Sequence, residues 1–171
     1  MVAVLPLQGM ATAVTSVTGA AYGGRAYGKL KRAYFFAVKT GLGVETLIAF
    51  ATFAAAPVIA GVFTWSEGTI HLRGDIVTLL RIVSFFYPAI AFGMLSSAMF
   101  QGIGKGLYSL IITLLRTLIL GVPLAAFFGL RLGMGLPGVY LGIVTGTWTA
   151  TLGAFLWASL FINRIQKAPE T

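Results

Sequence analysis

The chain has 171 residues, of which 58% are hydrophobic and only 9% charged, with a formal net charge of +8. Soluble domains carry about a quarter charged residues, so this composition excludes an ordinary soluble fold. The bases flank long apolar runs, where they mark membrane-bordering loops, so no nucleic-acid partner is expected; the lack of cysteine excludes disulfides and thiolate metal sites, and no metal or cofactor is expected.

A bilayer core of roughly 30 Å takes about 20 apolar residues per helical crossing. Five stretches approach or exceed that length: about 3–21, 34–62, 77–100, 107–129 and 137–162. They predict an all-α membrane protein, a single bundle of about five transmembrane helices over residues 1–171. The first stretch is diluted by Pro6, Gln8, Thr12, Thr15, Ser16 and Thr18. Thr12, Thr15 and Thr18 give it a polar small-residue face, for which helix-to-helix hydrogen bonding is favoured over lining a substrate path. The gap that follows holds Arg25, Lys29, Lys31 and Arg32. Its Gly24 to Lys29 string is one residue short of a phosphate loop and puts Leu30 where a hydroxyl belongs, so it is read as a turn.

The second stretch would reach roughly 43 Å at 1.5 Å per residue, so it should tilt, protrude into the cytosol, or break near Pro57. Glu45 lies about a dozen residues into it. Lys39 and Arg81 sit near the ends of their stretches, where long stems can snorkel to the interface. The loop between the second and third stretches contains Trp65, Glu67, His71, Arg73 and Asp75. A single histidine there reads as a solvated loop residue, not a metal ligand or proton relay. Pro88 and Pro123 lie inside the third and fourth stretches and predict kinks. Between those stretches, Gly102-Ile-Gly104-Lys105-Gly106 lacks the spacing of a dinucleotide fingerprint and reads as another turn. Arg116 lies about nine residues into the fourth stretch, too deep for easy snorkelling. In the fifth, Gly138, Gly142 and Gly146 share one helix face and predict close helix packing.

Seven bases (Arg25, Lys29, Lys31, Arg32, Lys105, Arg164 and Lys167) fall in alternate gaps and the tail, against Arg73 and Arg131 in the others. Lys and Arg mark the cytoplasmic side, which predicts a plasma-membrane protein with its N-terminus outside and its C-terminus cytoplasmic. A start on the outer side without a preceding base also suggests that an earlier segment is missing. Ionisable groups inside a bilayer are functional candidates by default. Glu45 and Arg116 lie at similar depth from the cytoplasmic side. A structural Glu45–Arg116 pair, or a neutral Glu45 facing a cavity, is expected ahead of a coupling-ion role. Four acids and one histidine assemble no triad or carboxylate pair, so no enzymatic activity is expected.

The string from Gly9 to Gly24 with the basic run to Arg32, then Leu80-Arg81-Ile82, Phe100 to Lys105, Leu115-Arg116 to Ala125 and Gly133 to Gly142, resembles helices eight to twelve of multidrug and toxic compound extrusion (MATE) transporters. The resemblance implies a cation-coupled antiporter of two six-helix lobes, with a substrate cleft between them. The implied partners are organic cations or other drugs, H+ or Na+ as coupling ion, the lipid bilayer and the missing N-terminal lobe. Candidates for the substrate or ion pathway are Glu45, Arg116, Thr12, Thr15 and Thr18. Two alternatives remain: a lipid-linked saccharide flippase relative, which would need Arg81 and Arg116 to line its cavity, and an inert or assembly membrane fragment.

Overall fold

The computed structural model describes residues 4–64 and 72–167, so Trp65, Glu67 and His71 lie outside the described residues. Those described fold into five helices: α1 (Leu5–Gly23), α2 (Tyr27–Phe63), α3 (Arg73–Gly102), α4 (Gly106–Arg131) and α5 (Gly135–Lys167). Helices α2 to α5 are each long and apolar enough to cross a membrane. Helix α1, of 19 residues, carries Pro6 in its first turn, where the missing N–H has no intrahelical partner to lose.

The second glycine-rich string is a turn, whereas the first turns only at residues 24–26 and its Tyr27, Gly28 and Lys29 already belong to α2. After α1 the N–H of Arg25 donates to the Tyr22 carbonyl at 3.1 Å and that of Ala26 to Ala21 at 2.8 Å, closing the helix end. After α3, Gly104 takes a φ of +77° while the N–H of Lys105 donates to the Phe100 carbonyl at 2.8 Å. Helix α2 does not break at Pro57. It begins ahead of its apolar run, at Tyr27, and its 37 residues span about 55 Å at 1.5 Å per residue, so it outreaches the bilayer core. Lys39 is therefore well inside α2, yet its side chain is exposed.

The prolines of α3 and α4 act differently. Helix α3 breaks at Phe85, between a first half (Arg73–Ser84) and a second half (Phe86–Gly102). Pro88 cannot donate to the Ser84 carbonyl, so the new half starts just ahead of it, with the ring in a first turn that needs no donor. The break is pinned from outside: the Phe85 carbonyl accepts a 2.9 Å hydrogen bond from the Trp148 indole of α5. In α4, two π-helical segments, Leu115–Gly121 and Phe127–Arg131, flank the short α-helical stretch holding Pro123.

The second half of α3 is the axis of the bundle and packs on α1, α2, α5 and the start of α4. Small residues permit this. A Cβ on Gly19 would meet the Gly102 carbonyl oxygen at 2.8 Å, and one on Gly102 would meet the Thr15 carbonyl and the Thr18 hydroxyl. Aromatic rings fill the end near the basic loops: Phe100, Tyr108, Trp157 and Phe161 contact one another. The Lys105 ammonium sits 5.2 Å from the Tyr108 ring centre and 5.0 Å from that of Phe161. On α5 the glycine stripe faces α4: Gly138 lies on Phe128, Gly142 on Leu124 and Ala125, and Gly146 on Leu120 and Gly121. Helix backbones brought this close gain dispersion contacts that larger side chains would prevent.

Overpacking a tight contact costs about 1–3 kcal/mol. Gly142→Val should therefore lower thermal stability in detergent by about 2 kcal/mol, whereas Gly153→Ala, whose added carbon meets nothing within 4 Å, should leave it unchanged or raise it. Equal melting of the Gly142 variant and the parent would contradict this account of the α4–α5 contact.

Candidate functional site

Two stripes run along α1. Leu7, Ala11, Val14 and Thr18 are buried against the bundle. Gln8, Thr12, Thr15 and Ser16, turned aside from them, line a groove of about 550 Å³ together with Met94, Ser97 and Gln101 of α3. A second hollow of about 460 Å³ shares Gln8, Met94 and Ser97 and continues to Thr113 and Arg116 of α4. The two form one polar groove with the second half of α3 as its floor. Ile90, Met94, Ser97 and Gln101 recur at helical spacing, which places them on a single face.

The donors in this groove are largely committed. Thr12 Oγ1 donates to the Gln8 carbonyl at 3.1 Å and Ser16 Oγ to that of Thr12 at 3.2 Å. Thr15 Oγ1 donates to Ala11 at 3.0 Å and reaches across to the Ala98 carbonyl of α3 at 3.2 Å. Gln101 Nε2 donates to Ser109 Oγ at 2.9 Å. Hydroxyls whose protons are spent on carbonyls present their lone pairs outward, so the groove offers acceptors, with Arg116 as its one charge among the described lining residues.

The sequence candidates are thus only partly brought together. Thr12 and Thr15 line the groove; Thr15 also joins α1 to α3, the helix-to-helix bond expected of these threonines. Thr18 is buried beside Gly102, its hydroxyl 2.6 Å from the Val14 carbonyl, and does not line the groove. Arg116 lines it, half-buried. Arg81 does not: its guanidinium lies 5.2 Å from the centre of the Phe53 ring of α2. The arrangement required for a saccharide flippase is therefore not met.

The expected Glu45–Arg116 pair does not form. Gly41, one turn before Glu45, lies against Leu7, Met10 and Leu95. Glu45 continues that face into the core, 0% exposed, and neither carboxylate oxygen has a hydrogen-bond partner among the described residues. The second half of α3, packed on α2 and on the start of α4, stands between the two groups. Similar depth did not bring them together because they lie on different sides of one helix. Tyr34, on the same side of the bundle as Glu45, does find a buried partner, with its hydroxyl 2.8 Å from Ser96 Oγ.

Gln8, Ser97, Gln101 and Thr113 were not singled out from the sequence. A readable signal existed in the spacing of Gln8, Thr12 and Ser16 at four-residue steps. Their partners on α3 become evident only once the helices are placed.

An unpartnered buried polar group costs roughly 1–3 kcal/mol. Replacing Glu45 by leucine should thus raise thermal stability by about that amount, measured as unfolding in detergent. A destabilised Glu45→Leu protein would show that the carboxyl is satisfied in place.

The MatE family model matches residues 1–127. The fold is similar to that of a multidrug resistance MATE family transporter of the MOP superfamily in its inward-facing conformation, at 42% identity and a TM-score of 0.95, covering 99% of this chain and 39% of that one. It is also similar to an outward-facing multidrug resistance MATE family transporter, at 43% identity and a TM-score of 0.92, over 98% of this chain and 37% of that one. A MOP superfamily transporter from Pyrococcus furiosus, described as having a binding pocket of reverse polarity that suggests a different function, matches at 43% identity and a TM-score of 0.93, over 98% of this chain and 37% of that one. The chain thus spans about two fifths of the length of these solved relatives. No curated protein matches it.

Proposed function

Since the chain belongs to the MATE family of membrane transporters, we propose that it forms part of one lobe of a cation-coupled antiporter that exports xenobiotics in exchange for H+ or Na+. The observation that carries this reading is the groove. It is a run of amide and hydroxyl acceptors in an otherwise apolar bundle. An ammonium or N–H group on a substrate would be received by Gln8, Thr12, Ser16, Ser97 and Gln101. The walls, Met94 and Phe86, would take its apolar body. Arg116 would receive an acceptor or acidic group at the α4 edge and disfavour cations there. A first lobe, as the family resemblance implies, would complete the cleft. In the orientation we assign, Arg25, the basic first turns of α2 (Lys29, Lys31 and Arg32) and Lys105 face the cytosolic side of the plasma membrane, and alternating access comes from rocking of the lobes.

Glu45 is the candidate for ion coupling within this chain. Its carboxyl is buried, lies off the groove and has no hydrogen-bond partner among the described residues. A group so placed changes charge only together with a change in its surroundings, which is the property a coupling residue needs.

The test is reconstitution. The chain, joined to the first-lobe helices of a solved relative, is placed in an efflux-deficient bacterial host, and export of a fluorescent organic cation is followed. Export should appear, Gln101→Ala should reduce apparent affinity several-fold, and Glu45→Gln should abolish dependence on the ion gradient while binding persists. No export in a correctly inserted chimera sinks the transport reading. Unaltered ion dependence in Glu45→Gln sinks only the coupling role.

A further inference from the structure

On the other side of α3 lies a seam of different chemistry. A hollow of about 330 Å³ opens between α2 and the Phe85 break, walled by Ala49, Phe50 and Phe53 on one side and by Phe85 and Pro88 on the other. At 3.6 residues per turn, Pro88 is roughly 120–180° around the axis from Ile90, Met94, Ser97 and Gln101, so it faces away from the polar groove. Phe50 and Phe85 are 71% and 59% exposed, which suits contact with hydrocarbon but not with water.

A cation stands at the rim of this apolar slot. The Arg81 guanidinium lies 5.2 Å above the Phe53 ring, and the Phe53 and Phe85 rings meet edge to face at 6.2 Å. A guanidinium beside a ring is held there by cation–π attraction. Its five N–H donors suit two-pronged binding of a phosphate at the rim of the slot. Further out on the same seam, an Arg73 nitrogen lies 3.4 Å from where a Cβ on Gly61 of α2 would stand. The two arginines are about 12 Å apart along the helix, both on the side of the membrane where α2 ends and α3 begins. Helix α3 is about 45 Å long against a 30 Å core. Arg81 therefore lies only about 5 Å below the headgroup boundary, within reach of its stem.

We propose that this seam binds one anionic phospholipid of the adjoining leaflet, with an acyl chain in the hollow, its phosphate on Arg81 and its headgroup near Arg73. An apolar slot with a guanidinium at headgroup depth matches a phospholipid along its whole length. A packed apolar helix would leave Arg81 without an anion.

The test is native mass spectrometry of the purified 171-residue chain, loaded in detergent with equal amounts of dioleoyl phosphatidylglycerol and dioleoyl phosphatidylcholine. A lipid-facing base contributes about a five-fold preference for an anionic headgroup. The parent should retain phosphatidylglycerol over phosphatidylcholine by about that factor, and Arg81→Ala should bring the ratio to about one. Ala49→Phe, which fills the hollow, should reduce retention of both lipids. Arg131→Ala, which removes a base outside the seam, should leave the parent ratio intact. Phe53→Leu removes the ring beside Arg81 but keeps an apolar wall, and should lower the preference part-way even if Arg81→Ala does not fold. Equal retention of the two lipids by the parent overturns the proposal. So does parent-like retention in both Ala49→Phe and Phe53→Leu, or an Arg131→Ala effect as large as that of Arg81→Ala. Occupation of the seam by a protein helix would give the first of these results.

Discussion

The bundle depends on how closely other helices can approach the second half of α3. Four elements pack on that half, and in a membrane little hydrophobic force draws helices together. Dispersion between closely approaching backbones must supply most of the association. The contact at Gly19 and Gly102 shows how little room is left: the Gly102 carbonyl stands 2.8 Å from where a Gly19 Cβ would be. Thr15 adds a polar tie at the same crossing by donating to Ala98. The same logic holds α5 to α4 through Gly138, Gly142 and Gly146.

This central helix also separates three chemistries. One face floors the polar groove with Met94, Ser97 and Gln101. Another meets α2, where Leu95 touches Gly41 and Ser96 satisfies Tyr34, and where Glu45 is buried without a partner among the described residues. The third, at the Phe85 break, carries an apolar hollow. A substrate in the groove and a proton or ion at Glu45 would occupy opposite sides of one helix. Any coupling between them would pass through displacement of α3, with no direct contact needed.

Much of this was legible in the chain. Apolar runs divided by basic turns gave the all-α membrane class, and the glycine stripe of α5 announced a close helix contact. The family resemblance rested on strings spread along nearly the whole chain. The site was less legible because hydropathy fixes depth but not azimuth. Glu45 and Arg116 share a depth, yet α3 parts them. Thr12, Thr15 and Thr18 share a helix, yet their different angles send Thr18 into the core and Thr12 to the groove. The start of α2 was hidden for another reason. Residues Tyr27 to Ala33 are too basic to count as a crossing, but they continue the helix beyond the bilayer.

The π segments of α4 have one further consequence. A π turn holds more residues than the α turn it replaces, and loss of a single residue there restores the ordinary helix. Elsewhere in these helices, deleting one residue would rotate everything beyond it by about 100° and turn a packed face outward. Helix α4 is therefore where chain length can change by one while the ends stay in register. Among homologues, single-residue gaps should gather between Leu115 and Arg131, and they should be rare across the crossing of α1 with α3.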